Sequence, residues 1–363
     1  MKIILSGYYG FDNAGDEALL SAITTSIKEL EPQAEFVVFS GAPKRTSLLH
    51  NIKAIHYMNP LQLIKELITA DLLISGGGSI FQDVTSTRSL IYYITVVALA
   101  KLFRTPVMFY AQGVGPINKN ISKNLMRLIA NRVDLITLRD IESGELLTKI
   151  GVTKPPRQIT ADPVFSLKAQ TEDIEKMQKM VFNLDLKGKP LIGVSVRKWE
   201  ALDGYQAELA LLLDDLIDQG YEIIFIPLAY PQDIEESEAT ASLMQRKAHI
   251  IKENLSSQEH LALIAELDFL IGIRLHSLVF AAQSGVPFAG ISYDPKVSAF
   301  LATFGQEPLT LKYEIMREEL TILLNDKEFG NIITRQASQH SKDSVKNAKL
   351  ALSLIKTRKS RKV

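Results

Sequence analysis

Ile271-Gly272-Ile273-Arg274-Leu275-His276-Ser277 follows directly on the mainly apolar run Leu267–Leu270. A short apolar run closed by a turn reads as a buried strand. The stretch from Ser277 to Gln283, closed by Gly285, reads as a helix. An arginine and a histidine therefore stand where a strand ends and a helix begins. In open parallel sheets ligands bind outside the carboxyl ends of the strands, and the free N–H groups of a helix start favour anions. A fixed positive charge beside a group that moves protons near neutral pH points to chemistry on a small anion.

The same alternation runs outward along the chain. Lys2–Ser6, Glu35–Ser40, Asp71–Ser75, Pro106–Ala111 and Asp134–Leu138 read as strands, with helical patterns such as Glu17–Leu30 and Lys123–Arg132 between them. Leu191–Val196, Glu222–Pro227, Asp268–Ile273 and Pro287–Tyr293 form a second series, with helices at Leu209–Asp218 and Gln258–Glu266. Strands alternating with helices imply right-handed crossovers and parallel sheets. The expected fold is α/β, with two Rossmann-like parallel-sheet domains facing a cleft. Residues 1–170 would form the first domain, 171–190 an inter-domain helix and linker, 191–335 the second domain, and 336–363 a helix with a basic tail.

Composition narrows the function. At 363 residues, two domains are the natural expectation. Lys plus Arg and Asp plus Glu both number 41, and this balance argues against a nucleic-acid partner. Cysteine is absent, which excludes disulfides, thiolate catalysis and cysteine-ligated zinc and suits the cytoplasm. No export signal is visible. Leu90–Leu99 is too short to span a bilayer and reads as a buried helix, with a membrane-touching helix as the alternative. The basic end Lys356–Lys362 reads as a frayed terminus or as a contact with an anionic membrane, which would put the protein at the inner face of the cell membrane.

Three glycine-rich turns each follow a predicted strand of the first half. The first, Gly7 to Glu17, brings the acceptor candidates Tyr9, Gly10, Asn13, Gly15 and Asp16; Asn13, the tyrosines and backbone donors could hold a sugar or a diphosphate, whereas Asp16 would oppose an anion placed directly there. It fits neither the dinucleotide fingerprint nor the P-loop. The second contains Gly77 and Gly78, followed by Gln82 and Asp83; the third opens on Gln112. Glycines there let a ligand or another backbone come close. Arg139 and Arg197 close strands as Arg274 does, and arginine's planar fork matches carboxylate and phosphate oxygens. Lys296, just beyond the strand after the His276 helix, would stand on the same sheet edge as Arg274 and His276. The other histidines show no spacing that suggests zinc, so no metal is expected.

Taken in order, Gly10-Phe11-Asp12-Asn13-Ala14-Gly15-Asp16-Glu17, Gly76 to Asp83, Gln112 to Pro116, Arg139-Asp140, Ala161-Asp162-Pro163, Arg274-Leu275-His276 and Ser284 to Pro287 resemble the polysaccharide pyruvyl transferase family. The likeness is closest to its CsaB-type members and covers roughly residues 1–305. It implies a GT-B-like fold and transfer of the enolpyruvyl unit of phosphoenolpyruvate to a sugar. The product would be a cyclic pyruvate ketal, with phosphate released. For CsaB-type members the acceptor implied is N-acetylmannosamine in a lipid-linked precursor of a secondary cell-wall polymer, which then anchors surface-layer proteins. Arg274 and His276 would face phosphoenolpyruvate, a co-substrate rather than a cofactor, with Lys296 close by.

The residues fit that implication. A carboxylate and a phosphate suit Arg139, Arg197, Arg274 and Lys296, and His276 is the candidate acid or base, with the N-terminal turns left for the acceptor. A nucleotide-sugar glycosyltransferase on the same architecture is the competing enzyme, though no acidic ribose partner is evident in the second half. A non-catalytic sugar-binding protein is the third reading.

Overall fold

The computed structural model describes residues 1–84, 86–186, 188–199 and 204–360, of Lys359 and Ser360 the backbone alone. The chain divides into two compact units. One comprises residues 1–12, 16–167 and 340–363; the other comprises 13–15 and 168–339.

The first unit is a seven-stranded parallel sheet. Its strands are β1 (Lys2–Tyr9), β2 (Glu35–Ser40), β3 (Lys53–His56), β4 (Leu72–Gly76), β5 (Val107–Gln112), β6 (Leu135–Leu138) and β7 (Arg157–Ile159), in the order β3-β2-β1-β4-β5-β6-β7. Strands β4 and β5 are buried along their whole length, as expected of a parallel sheet covered on both faces. Their side chains alternate between two cores. Ile4, Phe39, Leu73 and Phe109 enter one, with residues of the helices Pro60–Ile68, Thr87–Leu102 and Asn120–Ala130. Ile3, Leu5, Val38 and Ile74 enter the other, with the helix Ala14–Leu30 and the late residues Ala348, Leu352 and Ile355.

The second unit repeats the plan with five parallel strands: β8 (Leu191–Ser195), β9 (Glu222–Phe225), β10 (His249–Ile250), β11 (Phe269–Gly272) and β12 (Phe288–Gly290), ordered β10-β9-β8-β11-β12. In each sheet the strand order reverses once, between β1 and β4 and between β8 and β11. Such reversals open a crevice at the carboxyl ends of the strands, where ligands of this fold class bind.

All nine strands expected from sequence are present; β3, β7 and β10 are additional, each of four residues or fewer. The helix Leu275–Ser284 follows β11 and is closed by Gly285 at φ 73°, a left-handed position that glycine takes without strain. Two expected boundaries need correction. The segment 171–190 holds the helix Thr171–Phe182, whose Met177 is fully buried and whose Lys176 pairs with Glu259, so the segment belongs to the second unit rather than bridging two. The C-terminal helix Phe329–Ser360 is no separate appendage, because from His340 onward it is part of the first unit. Asn347, fully buried, fixes it there by donating to the Ala161 carbonyl (3.3 Å) and accepting from Thr160 Oγ1 (2.9 Å). The last basic residues of the tail, 361 and 362, lie outside the described residues. No described helix is long and apolar enough to cross a membrane.

Candidate active site

Arg197 lies two residues past β8 and reaches across to Tyr293, beyond β12. Its guanidinium carbon sits 4.8 Å from the Trp199 ring centre and 4.5 Å from that of Tyr293, and its Nη1 donates to the Tyr293 hydroxyl at 2.7 Å. Because β11 runs between β8 and β12, this guanidinium passes the carboxyl end of β11. Burial first, and then the neighbouring charge of Arg274, make its positive form less favourable than usual. Its Nε is buried without a hydrogen-bond partner, and among the described residues it forms no ion pair. A desolvated cation of this kind is a receptor for an anion.

Arg274 caps the start of the helix Leu275–Ser284 but is differently engaged. Its Nε and Nη2 grip the two carboxylate oxygens of Asp233. Asp233 is fully buried and also accepts the backbone amides of Leu228 (3.1 Å) and Ala229 (2.9 Å). Two of the three Arg274 nitrogens are thus committed to a buried carboxylate, and the pair ties the turn after β9 to the end of β11.

Lys296 stands in the first turn of the helix Pro295–Thr303, its ammonium 3.2 Å from Asp294 and 5.8 Å from the Tyr293 ring centre. Tyr293 thus touches both Arg197 and Lys296. His276 follows Arg274 by two residues, half-buried in the first turn of its helix. The segment Asn13–Gly15 is packed beside it: Ala14 N–H donates to the Leu228 carbonyl at 2.8 Å, and Ser257 Oγ donates to the Ala14 carbonyl at 2.8 Å. A Cβ added at Gly15 would run into Nδ1 and Cγ of His276, so glycine is what admits the imidazole. Asn13 and Gly15, assigned from sequence to the acceptor, are therefore grouped with the histidine.

The turns of the first unit are mostly spent on themselves. Tyr9, expected to meet the acceptor, is buried and donates its hydroxyl to the Gly76 carbonyl at 2.6 Å. Gly10, at φ 80°, donates its amide to Glu17 Oε1 at 2.7 Å, and Glu17 holds His50 Nε2 at 2.6 Å. Gln112 is fully buried and donates to the carbonyls of Gly78 (2.6 Å) and Gly113 (3.1 Å). Asp83 accepts the amides of Asn118 (2.8 Å) and Lys119 (2.9 Å). Burial alone would raise its carboxyl pKa, but these donors hold it below the usual range. Tyr9, Gln112 and Asp83 thus help to shape the turns. Arg139, expected with the anion, belongs to the first unit, where it pairs with Asp162 (2.8 Å) and donates to Ser79 Oγ (2.9 Å).

Around β1 and β4 there are also aromatic and acidic side chains that are not fully buried. Asp16 and Gln82 are half-buried, and the carboxylate of Asp16 adds to burial in raising the pKa of Tyr8. Gly77 (φ 72°) and Gly78 (φ 75°) pass close to Leu19 and Asp16. Tyr8 stacks on Phe11 at 4.4 Å, Phe11 meets Tyr57 at 5.6 Å, and Tyr57 meets Tyr92 at 5.3 Å. Such rings offer flat apolar faces with polar tips. Sequence reasoning overlooked Trp199, Tyr293 and Asp233. Tyr293 could have been found from its place beside Lys296; Asp233 carries no local signal, since its partner is 41 residues away. Among the described residues no group of three His, Cys, Asp or Glu side chains comes together to hold a metal.

A family model described as polysaccharide pyruvyl transferase matches residues 13–295. The amylovoran biosynthesis protein AmsJ of Erwinia amylovora is 21% identical over 364 residues, covering 84% of this chain and 86% of that protein. Among solved structures, the MnaA–UDP complex of S. aureus superposes with a TM-score of 0.67 at 12% identity, covering 96% of this chain and 94% of that one. A UDP-N-acetylglucosamine 2-epimerase from Listeria monocytogenes gives 0.67 at 14% identity, with coverage of 99% and 97%. At these identities the likeness carries the fold alone, which is the GT-B-like α/β fold.

Proposed function

The chain belongs to the polysaccharide pyruvyl transferase family, and we propose that it moves the enolpyruvyl unit of phosphoenolpyruvate onto the N-acetylmannosamine of a lipid-linked precursor of a secondary cell-wall polymer. It is a transferase of polysaccharide biosynthesis; donor, sugar and lipid linkage are the proposed part. The observation that carries the donor is the Arg197 guanidinium, half-buried with its Nε enclosed, flanked by two aromatic rings and lacking an ion-pair partner among the described residues. A small anion with two acidic groups suits it. Lys296, 5.8 Å from the same Tyr293 ring centre and paired with Asp294, is the second basic group of this region.

In this reading His276 delivers a proton to the methylene carbon of phosphoenolpyruvate. Positive charge develops at C2, and a sugar hydroxyl adds there, losing its proton. The C2–O bond to phosphate then breaks, and a second hydroxyl of the same sugar closes the cyclic ketal. One of the two hydroxyl protons replaces the one given to carbon; the other leaves with phosphate. Fixed cations stabilise the departing phosphate without reorganising. The aromatic row Tyr8, Phe11 and Tyr57, with the carboxylate of Asp16, suits the apolar face and hydroxyls of a sugar.

Incubating the protein with phosphoenolpyruvate and N-acetylmannosamine-containing lipid-linked disaccharides tests this. The expected result is the mass of a pyruvate ketal with one phosphate released per adduct. Product formed only from a nucleotide sugar, with nucleoside diphosphate released, would replace this reading with glycosyl transfer.

A further inference from the structure

Between Asp83 and Asp134 the sequence contains no carboxylate in fifty residues, yet it carries Arg88, Lys101, Arg104, Lys119, Lys123, Arg127 and Arg132. Since the whole chain has a formal charge of zero, this segment at +7 leaves the remainder at −7. The segment supplies two adjacent helices of the first unit, Thr87–Leu102 and Asn120–Ala130. Both bury their inner faces in the core shared with the helix Pro60–Ile68, through Leu90, Tyr93, Ile94, Met126 and Ile129. Their outer faces therefore point the same way, off the sheet.

Those outer faces mix exposed apolar side chains with polar and basic ones. Arg88, Ile91, Thr95 and Leu102 are exposed at helical spacing on one helix, Ile121, Asn124 and Leu128 on the next, and Leu61, Lys65 and Ile68 on the third. Leu61 is 80% exposed, Leu102 71% and Ile121 62%, so these are projecting side chains rather than the rim of the core. Grouped exposed apolar side chains among cations mark an interaction surface. A second copy of the chain would set this excess of like charge against itself. A nucleic acid would match the charge but leave the leucines and isoleucines unused.

We propose that this helix layer is a docking surface for an anionic lipid bilayer, with Ile91, Leu102, Ile121 and Leu128 entering the headgroup region and Arg88, Lys123, Arg127 and Arg132 meeting lipid phosphates, whereas Lys101 is paired with Asp134. The chemistry is that of an interfacial contact, in which apolar insertion and attraction to anionic lipid add. It needs no spanning helix. It does not depend on the reaction proposed above, and it places the membrane contact on this layer instead of on the basic C-terminal end.

Sedimentation with lipid vesicles, in the absence of any substrate, tests the proposal. The full chain is expected to partition onto vesicles of phosphatidylcholine mixed with phosphatidylglycerol, to be released by salt, and to ignore pure phosphatidylcholine. Leu102→Ser with Leu128→Ser, and separately Lys123→Gln with Arg132→Gln, should each lower partitioning by about tenfold or more while thermal melting stays the same. Deleting residues 356–363 should leave most of the binding. Undiminished partitioning of either double variant would overturn the assignment. So would loss of binding on the tail deletion alone, or equally strong binding of the serine variant and the full chain to heparin-coated beads and vesicles alike.

Discussion

The two units reverse strand order at equivalent places, yet their crevices carry opposite chemistry. In the first unit Arg139, at the end of β6, is paired with Asp162, and the glycine turns close on themselves through Tyr9, Gln112 and Asp83. Also there are an aromatic row and the half-buried Asp16. At β8 and β11 the half-buried Arg197 guanidinium forms no ion pair among the described residues and lies near a second arginine, with a histidine in the adjoining helix turn. Topology supplies the place for a ligand in both units. Which ligand enters is decided by which charges are already neutralised.

The sharpest way to break this contrast is to remove the proton carrier. With His276→Ala, turnover is expected to fall by about 10²–10⁴-fold, while phosphoenolpyruvate still binds in calorimetry. A rate above a tenth of the parent would show that the imidazole does not move the proton.

Arg274 and Arg197 should separate cleanly, although both are arginines at strand ends. Arg274→Ala leaves Asp233 buried with no cation, and breaking such a pair costs about 3–5 kcal/mol. The expected signature is a large loss in denaturant stability, partly restored by adding Asp233→Asn. Arg197→Gln should spare most of the stability and weaken phosphoenolpyruvate binding about 10–100-fold, the weight of a charge-assisted hydrogen bond of 1.5–3 kcal/mol. Unchanged affinity in that variant would sink the donor-site reading, and unchanged stability in the first would mean that Asp233 finds another partner.

The contrast also marks where sequence reading ran out. Apolar runs that end in glycine or arginine located β1, β4, β5, β8 and β11, because a buried parallel strand must be apolar on both faces. The edge strands β3, β7 and β10 escaped, being short and largely open to solvent, as Arg157–Ile159 shows. Residue type told that Arg139, Arg197 and Arg274 stand at strand ends. It could not tell which of them is neutralised, since Asp233 and Asp162 are brought in by tertiary structure. The same limit applies to Tyr9 and Gln112, whose polar groups satisfy neighbouring carbonyls. Asn13 and Gly15 were assigned to the acceptor from a glycine motif, but the packing of Gly15 against His276 is a long-range contact that no local pattern encodes.

Asp83 offers the smallest and most discriminating test of how self-contained the first unit's turns are. Its carboxylate is buried and accepts two backbone amides, and it titrates below the ordinary range. A carboxyl whose folded pKa is depressed contributes stability that is fully present above its unfolded value of about 4. That contribution is lost as pH falls through the lower folded value. Asp83→Asn keeps an acceptor but removes the charge, so about 1 kcal/mol should be lost at neutral pH, the difference between charged and neutral hydrogen bonding. Urea unfolding of both proteins at neutral and at strongly acidic pH reads this out: the gap between them should close as the parent's carboxyl becomes protonated. A gap that stays constant with pH would mean that the two amides do not distinguish the carboxylate from its neutral form, and that the turn is held by packing instead.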